Sequence, residues 1–424
     1  MALMHIGPAR GRAGRLAAWA AGVSLLATAA AFAWPVAGDR GDVVVDNLAF
    51  KSADGDSFSI AHVAVTNTNL SKDEIVKLLT PDAPADEDRA LAQKLKADKI
   101  AIPSIDILEK DGAKIHLADL TAAHVDAGRI ETLDLASFEA TGTDKGGAVS
   151  VKSGALHLDG LDVARLLADD DPAGATLSPS RLVGFTLNGL DIVAPDTEDA
   201  PGQSIHIAIG SIELRNDYAG DSIKRGDAKV AGVVIEPSPG SNAGKSLASL
   251  GYSRIELAMA IGASYLADAK TFALENFAVD GAQMGSIGLK ANFTDVAPAL
   301  FGTDSAGRMQ ALFDAGVASI EIKLVNDGLF DKALAYVAKQ QDLSPDKLRA
   351  QWSEMIGQTA PVMLGGSPAG LALAAEAQKF VAEPKNLTVD VKAKSGALKA
   401  ADFMAISDPT EFAGKLDISA AANR

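Results

Sequence analysis

The sequence predicts a mainly β protein built on a long, curled antiparallel sheet. Three observations support this fold class. Apolar and polar residues alternate with a period of two from Val43 onward, Gly-rich turns separate the runs at hairpin spacing, and helical segments are few. Because alternation gives each strand one apolar and one polar face, we expect a groove-like apolar inner surface. A β-sandwich and a parallel β-helix are the alternative folds, and the unequal spacing of the runs argues against the β-helix.

Residues 1–38 are predicted to be a signal peptide or a signal anchor. Arg10, Arg12 and Arg15 precede an uncharged run from Leu16 to Trp34. A basic flank before an apolar run keeps the N-terminus in the cytoplasm and sends the following chain across the membrane. The run ends in small residues that fit a cleavage site, and as a helix it is also long enough to span a bilayer. Cleavage and retention both remain open.

The composition excludes several classes of function. The chain has a net charge of −16, which repels nucleic acid and anionic headgroups, so we expect no nucleic-acid partner. It contains no cysteine, which excludes disulfides, thiolate metal sites and a cysteine nucleophile. With 48% apolar residues, however, it can bury a core. Stability must therefore come from packing and strand pairing.

The amphipathic β-sheet region is predicted to span residues 39–326, and the strands of residues 385–424 are expected to complete the sheet. Three runs in these regions alternate most clearly. If their apolar faces line a groove, the candidate groove residues are Ile205, Ile207, Ile209, Ile320, Ile322, Leu324, Val389 and Val391.

Between these regions, residues 327–384 are predicted to form a three-helix insertion. Asp327 is the expected N-cap of the first helix, and Ser344 and Ser367, each followed by proline, are the expected N-caps of the next two. The insertion contains Trp352, so we expect it to form a small satellite core. Earlier in the chain, a capping box of Ser71 and Glu74 predicts a further helix.

Two segments resemble catalytic or nucleotide-binding motifs. Residues 240–246 resemble a phosphate-binding loop, but the position five before Gly244 is Pro239, which lacks the N–H that such a loop needs. We expect a solvated hairpin loop there. Residues 365–369 resemble a nucleophile elbow, but Ala369 replaces its last glycine, and Ser367 is expected to cap a helix instead.

The histidines do not predict a metal site. His116 and His124 are eight residues apart without a third ligand at a useful spacing, and the sequence has no His-Glu-x-x-His motif. We interpret the histidines as residues of polar strand faces. The sequence therefore predicts no catalytic residues, no cofactor and no metal, and it indicates a protein that is not an enzyme.

Two short units precede helical turns: Ser153-Gly154-Ala155-Leu156 and Ser395-Gly396-Ala397-Leu398, each following a lysine. With the N-terminal segment and the long run of amphipathic strands, this pattern resembles the AsmA-like and YdgA-like envelope proteins of Gram-negative bacteria. The resemblance implies a curled sheet with an apolar inner face in the periplasm, either soluble or anchored in the inner membrane. It also implies lipid transport in the cell envelope. No functional residues carry over.

Two functions remain open. The first is a non-catalytic envelope protein that holds or moves lipid acyl chains along the apolar groove, attached to the inner membrane through its N-terminal segment. The alternative is a periplasmic scaffold that binds an unknown protein partner with its helical insertion. An apolar face that is accessible to solvent favours lipid binding. An apolar face that is covered by other parts of the chain favours the scaffold function.

Overall fold

The computed structural model describes residues 41–52, 55–80, 85–144, 147–162, 182–196, 202–220, 222–301, 304–405 and 408–424. The predicted signal segment lies outside these residues. Among the helices that are described, none combines the length and the apolar character needed to cross a membrane.

Within the described residues, eighteen strands form one sheet, and the pairings between them are antiparallel, which excludes a parallel β-helix. The predicted mainly β, antiparallel fold is confirmed. The strands are β1 Gly41–Lys51, β2 Ser57–Thr68, β3 Lys96–Leu108, β4 Lys114–Asp126, β5 Arg129–Leu135, β6 Ser137–Asp144, β7 Gly147–Ser153, β8 Leu156–Asp162, β9 Gly184–Pro195, β10 Ser204–Ala219, β11 Ser222–Pro237, β12 Ile255–Leu266, β13 Thr271–Gly281, β14 Gly285–Thr294, β15 Gly316–Asn326, β16 Asn386–Ala393, β17 Leu398–Lys399 and β18 Leu416–Ala422.

Short helices interrupt the strands. They are α1 Lys72–Leu78, α2 Ala85–Lys94, α3 Asn242–Ser249, α4 Ser305–Asp314, α5 Leu329–Gln340, α6 Pro345–Met363, α7 Pro368–Ala382, α8 Ala400–Ala405 and α9 Pro409–Gly414, with a 3-10 helix at Pro298–Phe301. The predicted capping box opens α1: the Ser71 side chain accepts from the Glu74 amide, and the Glu74 carboxylate accepts from the Ser71 amide at 2.8 Å.

The chain folds as two compact units. Of the described residues, unit 1 contains those within 41–215 together with Val234–Asn242, and unit 2 contains those within Asn216–Val233 and Ala243–Arg424. The sequence predicts residues 327–384 and 385–424 as separate regions. In the structure both are parts of unit 2, together with β12 to β15.

Unit 1 has a closed apolar core. The inward side chains of its strands pack on one another and on Ile75 of α1, and Val63, Ile102 and Leu133 are almost fully buried. The alternation that the sequence shows therefore places one face of these strands in a continuous interior. In this unit the apolar face is covered.

The sheet of unit 1 forks at β4. The first half of β4 pairs with β6, and its second half pairs with β5. The two branches continue as β6 to β7 and β5 to β8, and both β7 and β8 then pair with β9. The fork brings side chains from both branches into the same core, because the inner faces of all these strands are buried.

In unit 2, β12, β13, β14, β15, β16 and β18 pair in that order. Helix α7 packs along β18. The Glu376 carboxylate accepts a hydrogen bond from the Ala422 amide at 2.8 Å, and the Asn423 amide group donates to the Lys379 carbonyl at 3.2 Å. By accepting from the Ala422 N–H, α7 occupies a position at which a further strand could pair with β18.

The three-helix insertion is confirmed as α5, α6 and α7, and it has its own small core. Leu334, Ala338 and Leu348 are buried in it. The Phe330 ring lies 5.8 Å from Trp352 and 5.7 Å from Phe380, both in edge-to-face geometry. The satellite core predicted around Trp352 is therefore present.

The caps of the insertion agree with the sequence at two of three helices. Ser344 and Ser367 are the N-caps of α6 and α7. The predicted N-cap of α5 at Asp327 is wrong, because the helix begins one residue later, after Gly328. The side chain of Asn326 takes over the capping function and accepts from the Phe330 amide at 2.9 Å.

The segment that resembles a phosphate-binding loop is helical from Asn242 onward. Ser241 is buried, and its hydroxyl donates to the Ser238 carbonyl at 2.8 Å. The predicted solvated hairpin loop is thus wrong: a short turn leads into α3, and Lys245 lies exposed on that helix. Residues 365–369 resemble a nucleophile elbow in sequence. There the Ser367 hydroxyl accepts from the Gly370 amide at 3.1 Å, as expected for a helix cap.

Candidate functional site

Three rows of apolar side chains cross the six main strands of unit 2, and we call them the apolar face. Strand register defines each row. The first contains Met259, Val279, Ile287, Leu324, Leu387 and Ala422, the second Ile261, Phe277, Leu289, Ile322, Val389 and Ala420, and the third Ala263, Leu274, Ala291, Ile320, Val391 and Ile418.

Register and bulges keep these residues on one side of the sheet. Directly opposed residues of antiparallel strands point to the same face. Leu274 and Phe277 are three residues apart on β13, a spacing that would normally place them on opposite faces. An irregularity between them absorbs the extra residue, and they pair with Ala291 and Leu289, which share a face.

Much of the apolar face is accessible. Met259, Ile261 and Ile287 are exposed, and Ile322 is 36% exposed. Among the described elements of unit 2, α7 packs along β16 and β18, and no helix packs to a similar extent on β12 to β15. By comparison, Ile102 lies in an alternating strand of unit 1 and is 2% exposed. The same alternating pattern therefore gives a buried apolar face in unit 1 and an accessible one in unit 2.

Aromatic residues cover one end of the apolar face. Phe301, from the 3-10 helix between β14 and β15, places its ring 4.8 Å from Tyr265 and 6.2 Å from Phe272. The Tyr265 hydroxyl donates to the Val296 carbonyl at 3.0 Å, which fixes the connection over the strand ends. The rows are therefore bounded at this end of the sheet.

The structure brings five of the eight candidate groove residues together. Ile320, Ile322 and Leu324 of β15 stand directly opposite Val391, Val389 and Leu387 of β16.

The other three candidates lie in unit 1. Ile205, Ile207 and Ile209 are half-buried on β10, and Ile207 faces Ile192, which packs against the core of that unit. Phe277, Ile287 and Leu289 also extend the face, and the sequence does not predict this because their grouping depends on strand pairing and a bulge.

The polar faces hold cross-strand ion pairs. In unit 2, Lys290 lies 3.3 Å from Glu321 on the next strand. In unit 1, four histidines contact a carboxylate of a neighbouring strand at 2.6 to 2.7 Å: His62 with Asp46, His116 with Asp106, His157 with Asp134 and His206 with Asp191. The predicted polar-face positions are correct for these histidines, but their carboxylate partners could not be predicted from sequence spacing.

These pairs do not form an enclosed site. An open depression of about 420 Å³ lies beside His116 and includes Ser57, Ser59 and Glu139. Its histidine and aspartate are about half exposed, so water screens their charges. Within the described residues, no cluster of three or more acidic or histidine side chains could hold a metal ion.

The histidine pairs predict a pH dependence of stability. The hydrogen bond to Asp134 raises the pKa of His157, and the bond to Asp191 raises the pKa of His206. A raised pKa adds stability that is complete below the unfolded pKa of about 6.5 and is lost as pH rises through the folded value. Because the pairs are exposed, we expect only about 0.5 kcal/mol from each.

The measurement compares wild type with His157→Gln/His206→Gln by urea unfolding at several pH values. The stability difference should be largest near pH 6 and should shrink toward pH 8. A difference that grows with rising pH would contradict the assignment. His124→Gln is the control, since this histidine is exposed on β4 of the same sheet.

A family model described as "Uncharacterized protein" matches residues 278–423. The matched range contains Ile320, Ile322, Leu324, Val389 and Val391 and all three helices of the insertion. No curated protein matches the chain.

Proposed function

We propose that this is a non-catalytic, extracytoplasmic envelope protein that holds or moves lipid acyl chains on the apolar face of unit 2. The observation that carries the proposal is the accessibility of that face. Large aliphatic side chains such as Ile261, Ile287 and Ile322 stand in ordered rows without a helix packed over them in the described part of the unit. Exposed apolar surface of this extent usually marks a binding site.

The dimensions of the face suit an extended hydrocarbon chain. Six strands at a spacing of about 4.8 Å give rows roughly 24 Å long, and the part over β12 to β15, where no helix packs to a similar extent, is roughly 14 Å long. The hydrocarbon of one bilayer leaflet is about 15 Å thick, so this accessible part of a row matches the length of an acyl chain. Three rows of alternate residues add a width of roughly 14 Å.

The chemistry of the face favours the chain over the headgroup. The three rows contain no charged or hydrogen-bonding side chain. Covering a patch of roughly 300 Å² would contribute about 7 kcal/mol before the entropic cost of association. A lipid would therefore be held through its hydrocarbon, with its headgroup in water.

The closed core of unit 1 favours the alternative function for that unit. Its apolar face is covered by its own side chains, as expected of a scaffold. The two interpretations predict different results for a charge placed on the apolar face of unit 2.

The test places a carboxylate in the second row, as Ile322→Asp or Val389→Asp. Both positions are partly accessible, so we expect a folded protein with a stability loss of about 1 to 2 kcal/mol. We expect copurified lipid, measured by mass spectrometry, to disappear. Thr388→Asp is the matched control, because it adds the same charge one residue away on the opposite face, next to Lys323.

Two results would contradict the proposal. One is a wild-type protein, extracted from its native compartment, that carries no lipid. The other is loss of folding in Ile322→Asp and Val389→Asp but not in Thr388→Asp, which would show a closed interior and favour the scaffold.

A further inference from the structure

The most exposed large apolar side chains of unit 2 collect at one end of its sheet. We call it the distal end, where β12 and β14 finish and β18 begins, at Leu266, Thr294 and Leu416. Register places these positions together, because Leu266 pairs with Thr271, Thr294 with Gly316, and Leu416 with Ala393.

Helix α4 contributes an outward apolar stripe to the distal end. It connects β14 to β15 there. Met309, Leu312 and Phe313 follow a helical i, i+3, i+4 spacing and are all exposed, whereas Ala311 is buried. An amphipathic helix in a globular protein normally turns its apolar stripe toward the core. Helix α4 presents three large apolar residues to solvent instead.

The turn between α6 and α7 reaches the same end. The Thr410 hydroxyl, on α9 just before β18, donates to the Gly365 carbonyl at 3.3 Å. At this tip Val362 is 72% exposed and Met363 is 69% exposed, and Leu371 is also more than half exposed. These side chains extend farther into solvent than most apolar residues of the chain.

The tip has a composition that suits lipid. Residues 355–375 contain no charged and no aromatic side chain, in a chain with 22% charged residues. Protein interfaces are enriched in Trp, Tyr and Arg and have a polar rim. A charge-free segment avoids the large penalty for taking charges into hydrocarbon. The net charge of −16 also disfavours anionic headgroups, so attachment would rely on apolar insertion into a neutral surface.

We propose that the distal end of unit 2, led by the α6–α7 turn, inserts into the surface of a bilayer with zwitterionic headgroups. This docking surface uses residues outside the apolar face, and it is independent of whether that face carries lipid. Insertion would place Val362 and Met363 among the acyl chains.

The test uses the full chain, which has no cysteine and therefore accepts a single label. An environment-sensitive fluorophore is attached at Met363→Cys, or at Ala282→Cys as the control. Ala282 is exposed in the β13–β14 turn, at the opposite end of the same sheet. Each protein is mixed with phosphatidylcholine vesicles whose acyl chains carry a nitroxide quencher. Because both proteins have the same N-terminal segment, only a difference between labels reports insertion of the tip.

We expect a blue shift and quenching at position 363, equal at low and high salt, and no change at position 282. Adding Val362→Ser and Leu371→Ser should weaken insertion of the position 363 label by about tenfold. Thermal unfolding confirms that the variants are folded.

Three outcomes would overturn the proposal. They are an unresponsive label at position 363, equal quenching at both positions, and a shift at position 363 that follows protein concentration without vesicles. The last result would identify a second copy of the chain as the occupant.

Discussion

Aspartate in place of Leu133 is expected to prevent unit 1 from folding. Leu133 lies on β5 and is 0% exposed, at the centre of the continuous core. An unpaired carboxylate there would lose its hydration without a compensating hydrogen bond, and leucine packing would be lost as well. Together these effects exceed about 4 kcal/mol, which is a large fraction of the stability of a domain. Circular dichroism and urea unfolding of the purified chain would measure the effect.

The informative comparison is with Ile322→Asp, which introduces the same group on an alternating strand of unit 2. Leu133→Ala should fall between them, at about 3 kcal/mol, because it creates a cavity without burying a charge. Equal stability losses for Leu133→Asp and Ile322→Asp would show that the two apolar faces are equally closed. That result would remove the main support for lipid binding.

The strands themselves could be predicted from sequence. Their signal is local, because a period of two in apolar residues describes a half-buried strand whatever it pairs with. The helix caps at Ser71, Ser344 and Ser367 are also local, since a capping side chain binds an amide two or three residues away.

Coverage of a face could not be predicted. Ile102 and Ile322 lie in similar alternating runs, yet one is buried and the other is accessible. Alternation shows that two faces differ, and it carries no information about which other elements pack on them. The open face of unit 2 and the closed core of unit 1 depend on contacts between residues that are distant in sequence.

Features that depend on strand register also could not be predicted from the sequence. The pairing of His116 with Asp106 requires knowing which residues of β3 and β4 stand opposite each other. The cap of α5 by Asn326 was missed because Asp327 has an equally good capping side chain one residue later. Helix α3 was missed because the glycines of residues 240–246 favour a loop locally, although Gly244 is buried within the helix.

Gly285→Ala should be strongly destabilising and should also remove lipid from the apolar face. Gly285 begins β14 with a φ of +119°, a conformation that disfavours any side chain. A Cβ there would overlap the Val325 carbonyl oxygen and crowd the Asp327 amide. These backbone groups belong to the β14–β15 pairing and to the start of α5, where the Asp327 amide donates to Met284.

Because the clash involves backbone on both sides, relief requires β14 to move away from β15. We expect a loss of more than about 3 kcal/mol in urea unfolding. Gly396→Ala is the matched control: Gly396 has a φ of +90°, but a Cβ there meets nothing within 4 Å, so only the conformational penalty of about 1 kcal/mol remains. Hydrogen exchange should show faster exchange of the β14 and β15 amides in Gly285→Ala. Slow exchange there, or equal losses in both variants, would show that the β14–β15 register tolerates the added methyl group. The rows of the apolar face would then need another explanation for their alignment.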